Sequence, residues 1–221
     1  MSARPVIEYY FSSISLWSYI GSRRLLALRE THNAQIIYKP VDLMHVFSVS
    51  GGLPVSQRPP QRQAYRLLEQ KRWTEIRGLP IVPHPKFYPA NPSLAHRVLL
   101  AAIDEHGYDN PAVHEFARSS LEAVWARELD IADRVTVQLL ADEAGFGGAE
   151  ALLRRAEEDA SLTEKEEALT EEAVGKRFFG GPIYSYRGEP FWGQDRLEML
   201  DDVIRSGREA YELPTEGILD P

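Results

Sequence analysis

The chain opens with a short run of apolar and aromatic positions and then changes period. Val6–Phe11 reads as a β-strand buried on both faces, the pattern a parallel sheet requires. After Ser15, residues Trp17, Gly21, Leu25 and Leu28 recur at i, i+4, i+8 and i+11, one stripe of a helix. Gln35–Val41 reads as a second strand, so the N-terminal segment forms a βαβ unit whose crossover is right-handed and whose strands are parallel. From Gln57 to Lys176 strand patterns nearly vanish. The spacing there predicts helices over 57–77, 93–106, 112–127, 133–145, 148–159 and 161–175, divided by Gly- and Pro-rich breaks. Ser161-Leu-Thr-Glu164 has the form of a capping box for the last of these. The acidic run Glu164–Glu172 reads as a solvated helix face, because no histidine or carbonyl pattern converges on it. Strand character returns at Ile183–Tyr186. A turn at Arg187-Gly188, a short strand at Pro190–Trp192 and a helix with Leu197, Leu200, Val203 and Ile204 on one face complete the pattern, ahead of a loosely ordered tail at 208–221. Periodicity alone supports an α/β class with a helical subdomain.

Composition narrows the chemistry. The 221 residues include 33 acidic and 25 basic side chains, a net charge of -8 that no Lys/Arg cluster offsets, so no nucleic-acid partner is expected. No apolar run approaches the ~20 residues of a membrane span, and the N-terminus lacks a signal-peptide core. A cytoplasmic protein with no membrane partner is the expectation. The absence of cysteine excludes a disulfide framework, a Cys-x-x-Cys pair and thiolate metal sites. The histidines, at 32, 45, 84, 96, 106 and 114, show no paired metal-ligand spacing, so no metal site is expected.

The passage from strand to helix around Ser15 is the strongest chemical signal. The first amides of a helix have no intrahelical partner, and the macrodipole places partial positive charge there, so a bound anion or thiolate is favoured. With no cysteine in the chain, a thiol at this place must come from outside. Ser15 also suits a plain N-cap, worth about 1 kcal/mol.

The segment Tyr10-Phe-Ser-Ser-Ile-Ser-Leu-Trp-Ser-Tyr-Ile20, the Pro40-Val-Asp-Leu43 strand end, and Phe179-Gly-Gly-Pro-Ile183 followed by Phe191-Trp-Gly-Gln-Asp-Arg-Leu197 occur in one order. Together they resemble the 2-hydroxychromene-2-carboxylate isomerase family, a DsbA-like branch of thioredoxin folds related to kappa-class glutathione transferases. The resemblance spans roughly residues 6–205. The chain departs from the family pattern at Leu16, where proline usually follows the serine, and at Gly181, where an apolar residue usually precedes the late proline.

The resemblance implies a thioredoxin-like (βαβ…ββα) fold in which residues 1–56 and 177–207 form a discontinuous domain and residues 57–176 a helical insertion. It implies a glutathione-dependent isomerase acting on a small aromatic carboxylate, with the thiol regenerated, and a homodimer. Ser15 then takes the place of the family's active-site serine and stabilises a glutathione thiolate. Pro182 is expected to be cis and to lie beside Ser15, with the Gly181 backbone pairing with the cysteinyl backbone of glutathione. Gln194 and Asp195 are assigned to its γ-glutamyl end, although Asp195 equally suits an N-cap. Asn91, in Phe87-Tyr-Pro-Ala-Asn91, orients glutathione or substrate, or makes an ordinary Asx turn. Trp125, Tyr88 and Trp73 are candidate walls of an aromatic pocket, and Arg97 and Lys39 candidate partners of the substrate carboxylate. Two other activities fit the same scaffold: a kappa-type transferase that consumes glutathione, and a non-catalytic module that binds thiols or peptides.

Overall fold

The computed structural model describes residues 3–214. Its sheet has the order β2-β1-β3-β4, built from β1 (Val6–Phe11), β2 (Gln35–Pro40), β3 (Ile183–Tyr186) and β4 (Glu189–Trp192). β1 runs parallel to β2, with Tyr9 opposite Tyr38, and antiparallel to β3, with Tyr9 opposite Tyr184. The crossover between β1 and β2 is α1 (Leu16–His32), which Asn33 ends in a left-handed conformation. The remaining helices are α2 (Leu43–Ser50), α3 (Pro60–Arg77), α4 (Ser93–His106), α5 (Pro111–Trp125), α6 (Arg134–Ala144), α7 (Ala149–Glu158), α8 (Ala160–Gly175) and α9 (Leu197–Ser206). Among the described residues no helix is long and apolar enough to cross a membrane.

Strand alternation sorts the side chains to two faces. Ile7, Tyr9 and Phe11 join Tyr38, Tyr184, α1 and the inner sides of α4–α7 in one large core. Tyr9 stacks on Tyr184 at 5.2 Å and on Phe11 at 4.5 Å, each such pair worth about 0.5–1.5 kcal/mol beyond its buried area. Tyr10, Ile183 and Val41 face the other way and pack with Leu43, Ala173 and Phe178. The last helix of the 57–176 segment, α8, therefore covers the sheet's second face, and the first core runs from the strands into the helical segment without a break.

One helix lies outside the predicted set, and three expectations need correction. Helix α2 carries no strong sequence pattern; it forms because the Asp42 carboxylate accepts from the amides of Met44 and His45 while Leu43 and Val46 turn inward. The cap of α8 is Asp159, which accepts from the Ser161 amide, so the Ser161–Glu164 capping box is not made. The acidic run is only partly solvated: Glu166 is buried, and Glu172 is tied to Lys39, Lys176 and Tyr10. The start of the tail is tethered, since Arg208 makes two bonds to Glu189 at 2.7 and 2.8 Å and the Tyr211 amide a third at 3.0 Å. The tail beyond residue 214 lies outside the described residues.

Candidate active site

The turn Ser12–Ser15 connects β1 to α1, closes on itself and is held from two helices. The Ser15 amide closes it by donating to Ser12 O at 2.9 Å. From α4, His96 Nε2 accepts the Ser13 N–H at 3.0 Å and lies 3.5 Å from Ser12 Oγ. From α5, Trp125 Nε1 donates to Ile14 O at 3.1 Å. The helical segment thus reaches the turn directly, and two of its side chains position the backbone around Ser15.

Ser15 is the N-cap of α1, with extended backbone angles, and its Oγ accepts from the Ser18 amide at 3.2 Å. That bond uses a lone pair and leaves the hydroxyl proton able to donate elsewhere. The amides of Leu16 and Trp17 precede the first intrahelical bond, Tyr19 N–H to Ser15 O. One hydroxyl donor and a helix start at one point form a donor set suited to a thiolate, and it contains no side chain that could itself be oxidised. Ser15 is only 8% exposed.

The Gly181–Pro182 peptide is cis. Because Tyr10 of β1 pairs with Ile183 of the antiparallel β3, Pro182 lies at the same end of the sheet as the Ser12–Ser15 turn. A Cβ on Gly181 would sit 3.0 Å from Leu43 Cδ2, so a larger residue at this departure from the family pattern would require the Leu43 side chain to shift.

Of the other candidates, Trp125 reaches the turn: its ring is fully buried, with Tyr88 tilted against it at 4.7 Å. Asn91 is exposed and its Oδ1 accepts from the Ser93 amide at 3.0 Å, an Asx turn leading into α4. Gln194 is buried beside α1 and accepts from Arg77 at 3.3 Å, while Trp73 lies under Arg77 at 5.1 Å. Asp195 does not cap α9, whose start has no side-chain cap; it lies in a 3-10 turn ahead of that helix and pairs with Arg196 at 2.6 Å.

Lys39 and Arg97 are placed elsewhere. Lys39 points to the second face of the sheet, where its ammonium contacts Glu8 at 2.7 Å, Glu172 at 2.8 Å and the Tyr10 hydroxyl at 3.1 Å. Burial works against that charge, but the bonds from Glu172, Glu8 and Tyr10 outweigh it and raise the lysine pKa. The same cluster holds Glu172 down at about 2: burial raises it, and bonds from Lys176, Lys39 and Tyr10 more than reverse that. Arg97 spends its guanidinium on Ala156 O at 2.8 Å and Ser93 Oγ at 2.7 Å, joining α4 to α7. Lys39 is thus already neutralised by carboxylates, and two of the Arg97 nitrogens are taken.

His96 and Glu166 are the residues that sequence reading missed. His96 is 0% exposed. Its Nε2 must be unprotonated to accept from the Ser13 N–H, so Nδ1 carries the proton and donates to Glu166 Oε1 at 2.7 Å. Glu166 Oε2 accepts from Ser93 Oγ, also at 2.7 Å. Burial raises the Glu166 pKa, but the hydrogen bonds from His96 and Ser93 and the nearby Arg97 charge leave it lowered, so the carboxylate is ionised. A charged acid on α8 thereby orients an imidazole on α4, which holds the turn before α1. The two residues are 70 apart in the chain, and no local pattern marks them as a pair.

The sequence matches the DSBA-like thioredoxin domain over residues 6–205. The chain belongs to that family. A 2-hydroxychromene-2-carboxylate isomerase of Pseudomonas putida is 25% identical over 200 residues, covering 90% of this chain and 94% of the relative. One from Sphingobium xenophagum is 24% identical over 199 residues, covering 90% and 97%. Among solved structures, 2-hydroxychromene-2-carboxylate isomerase superposes with a TM-score of 0.72 at 24% identity, covering 91% of this chain and 95% of that one. The cytosolic disulfide reductase DsbM of Pseudomonas aeruginosa, solved also with GSH, superposes with a TM-score of 0.63 at 18% identity, covering 91% and 96%. Within this DsbA-like family, the present chain carries Ser15 at the helix start and no cysteine at all.

Proposed function

We propose that this protein is a glutathione-dependent isomerase of an aromatic carboxylate similar to 2-hydroxychromene-2-carboxylate. The observation that carries the reading is Ser15, a hydroxyl capping α1 in a cysteine-free DsbA-like fold. Isomerase homologues aligned over 90% of the chain support the reaction class. Glutathione bound here would supply the thiolate that the chain lacks. The Ser15 hydroxyl and the first amides of α1 would hold the sulfur as an anion, the Gly181 backbone would bind the cysteinyl backbone, and Gln194 and Asp195 would receive the γ-glutamyl end. His96 and Trp125 keep the Ser12–Ser15 backbone in the conformation that aims these donors. The reading also carries a cytoplasmic location and a homodimer, which cell fractionation and light scattering check.

Calorimetric titration with glutathione and turnover of 2-hydroxychromene-2-carboxylate at substoichiometric glutathione test the assignment. Many turnovers per glutathione are expected; consumption one for one would make the protein a kappa-type transferase, and no binding would leave a non-catalytic module. A thiol with a pKa of about 8.5 is mostly protonated at pH 7, and a hydrogen bond to an ionised partner is worth about 1.5–3 kcal/mol, or roughly 1–2 pH units. Ser15→Ala should therefore move the alkaline-rising limb of the rate profile up by about that much and slow turnover at pH 7. Unchanged rates and an unchanged profile in a folded, glutathione-binding Ser15→Ala protein would reduce Ser15 to a helix cap.

A further inference from the structure

The turn before α3 and the first half of that helix carry arginines that the rest of the molecule leaves without a carboxylate. Other half-buried arginines have an acid beside them, Arg24 with Asp201 at 2.6 Å, Arg77 at the end of α3 with Glu198 at 3.1 Å and Arg118 with Glu122 at 2.8 Å, while Arg97 bonds instead to Ala156 O and Ser93 Oγ. Among the described residues, Arg58, Arg62 and Arg66 have no acid within ion-pair distance of their guanidinium groups. Arg66 instead lies over the ring of Trp125, 5.2 Å from its centroid, and 5.8 Å from that of Tyr88. Arg58, anchored by its Nε to Leu53 O at 2.8 Å, adds a second positive charge near the same tyrosine. Burial pushes the Arg66 pKa down, Tyr88 opposes that, and the Arg58 charge deepens it. A guanidinium does not shed its proton in a protein, so the cost of holding this cation without a counter-ion stays in the fold.

A second unrelieved group lies one helical turn further on. Gln70 occupies the same face as Arg66 at i+4 and is 2% exposed, yet neither its amide oxygen nor its amide nitrogen has a partner. Buried amides are normally paired, and two adjacent exceptions of this kind fit a polar ligand better than a packing role. Position supports the same conclusion. Trp125, whose ring lies beside the Arg66 guanidinium, donates through Nε1 to Ile14 O, one residue before Ser15.

We infer that Arg66 and Gln70 form a carboxylate subsite beside the Ser15 turn, with Tyr88 as the adjoining aromatic wall, and that the acid they take is a planar aromatic one bearing a second oxygen next to the carboxylate. A planar fork matches two carboxylate oxygens, and the Gln70 amide supplies a donor for a neighbouring carbonyl or hydroxyl. This role replaces Lys39 and Arg97 as carboxylate partners. That the ligand is the substrate rests on the isomerase reading; the preference for an acid does not.

The test uses trans-benzylidenepyruvate and its methyl ester as probes, titrated calorimetrically into the full chain with and without glutathione. Wild type should favour the acid over the ester by at least tenfold. Arg66→Met, which keeps the stem over Trp125, should erase that preference, and Arg66→Lys should restore part of it. Gln70→Leu should weaken the acid severalfold while its melting temperature stays level or rises, since it removes an orphaned amide. Equal binding of acid and ester by wild type, an unchanged preference in Arg66→Met, or a parallel loss of glutathione affinity in that variant would overturn the assignment. Failure of wild type to bind glutathione would instead sink the isomerase reading and leave the acid preference standing.

Discussion

Replacing His96 by leucine tests whether the buried Glu166–His96 pair builds the turn that carries Ser15. The substitution strands two groups at once. The Ser13 N–H, bonded to Nε2 at 3.0 Å, loses its acceptor, and an orphaned buried donor costs about 1–3 kcal/mol. Glu166 loses the Nδ1–H donor at 2.7 Å and keeps Ser93, and a hydrogen bond to a charged group is worth about 1.5–3 kcal/mol. Leucine returns part of this as apolar burial, for a net loss of about 2–4 kcal/mol. In a protein of this size each kcal/mol moves the melting temperature by about 2–4 °C, so His96→Leu should melt roughly 5–15 °C lower. Glu166→Gln should cost about 1 kcal/mol or less, since its carbonyl can still accept from the imidazole and its amide can donate to Ser93. The double variant His96→Leu/Glu166→Leu should recover stability relative to His96→Leu alone, because no buried charge is then left unpaired. Denaturant unfolding gives the energies, and hydrogen exchange at the Ser13 amide reports the turn itself. Full additivity of the two substitutions, or undiminished Ser13 protection in His96→Leu, would refute the pairing.

The site's support and the large core offer two further checks. Gly21→Ala should destabilise the fold by several kcal/mol, because an added Cβ would meet the Tyr184 hydroxyl at 2.6 Å and Gln194 Cβ at 2.8 Å where α1 packs against β3 and the segment before α9; a melting temperature within 2–4 °C of wild type, about 1 kcal/mol, would show that this contact yields freely. His114 is buried with Nδ1 bonded to the Tyr38 hydroxyl at 2.8 Å, and burial, with the nearby Arg29 charge, lowers its pKa to about 4. The unfolded chain, with an ordinary value near 6.5, takes up the proton first, so the stabilisation is complete above about pH 6.5 and is lost as pH falls towards 4, by up to about 3 kcal/mol. His114→Gln should flatten that part of the stability profile, and an unchanged slope between pH 4 and 6.5 would assign it to other groups.

Much of the architecture was legible wherever a local rule acts on neighbouring residues. Alternation and apolar runs located β1 and β3 at the observed residues, and helical spacing bounded by Gly and Pro located α4 at 93–106. A serine between strand and helix marked the N-cap of α1, and the family motifs marked Pro182 as cis. Helix α2 escaped because it depends on one Asp42 cap and on covering a core patch that its own short run does not announce. Asp159 took the cap of α8 from Ser161 because the two compete within one turn, and the carboxylate reaches the Ser161 amide at 3.0 Å. Side-chain partnerships across the chain were beyond any window of sequence. Lys39 looked free until Glu8 and Glu172 met it across the sheet, and Glu166 looked solvated until α8 packed against α4 and turned it to His96. Arg66 and Gln70 show the converse: folding carries Arg66 inward against aromatic rings with no counter-ion, and Gln70 inward with no hydrogen-bond partner for its amide. Backbone preferences act over a few residues and survive in the sequence, whereas burial, counter-ions and hydrogen-bond partners are set only when distant segments pack together.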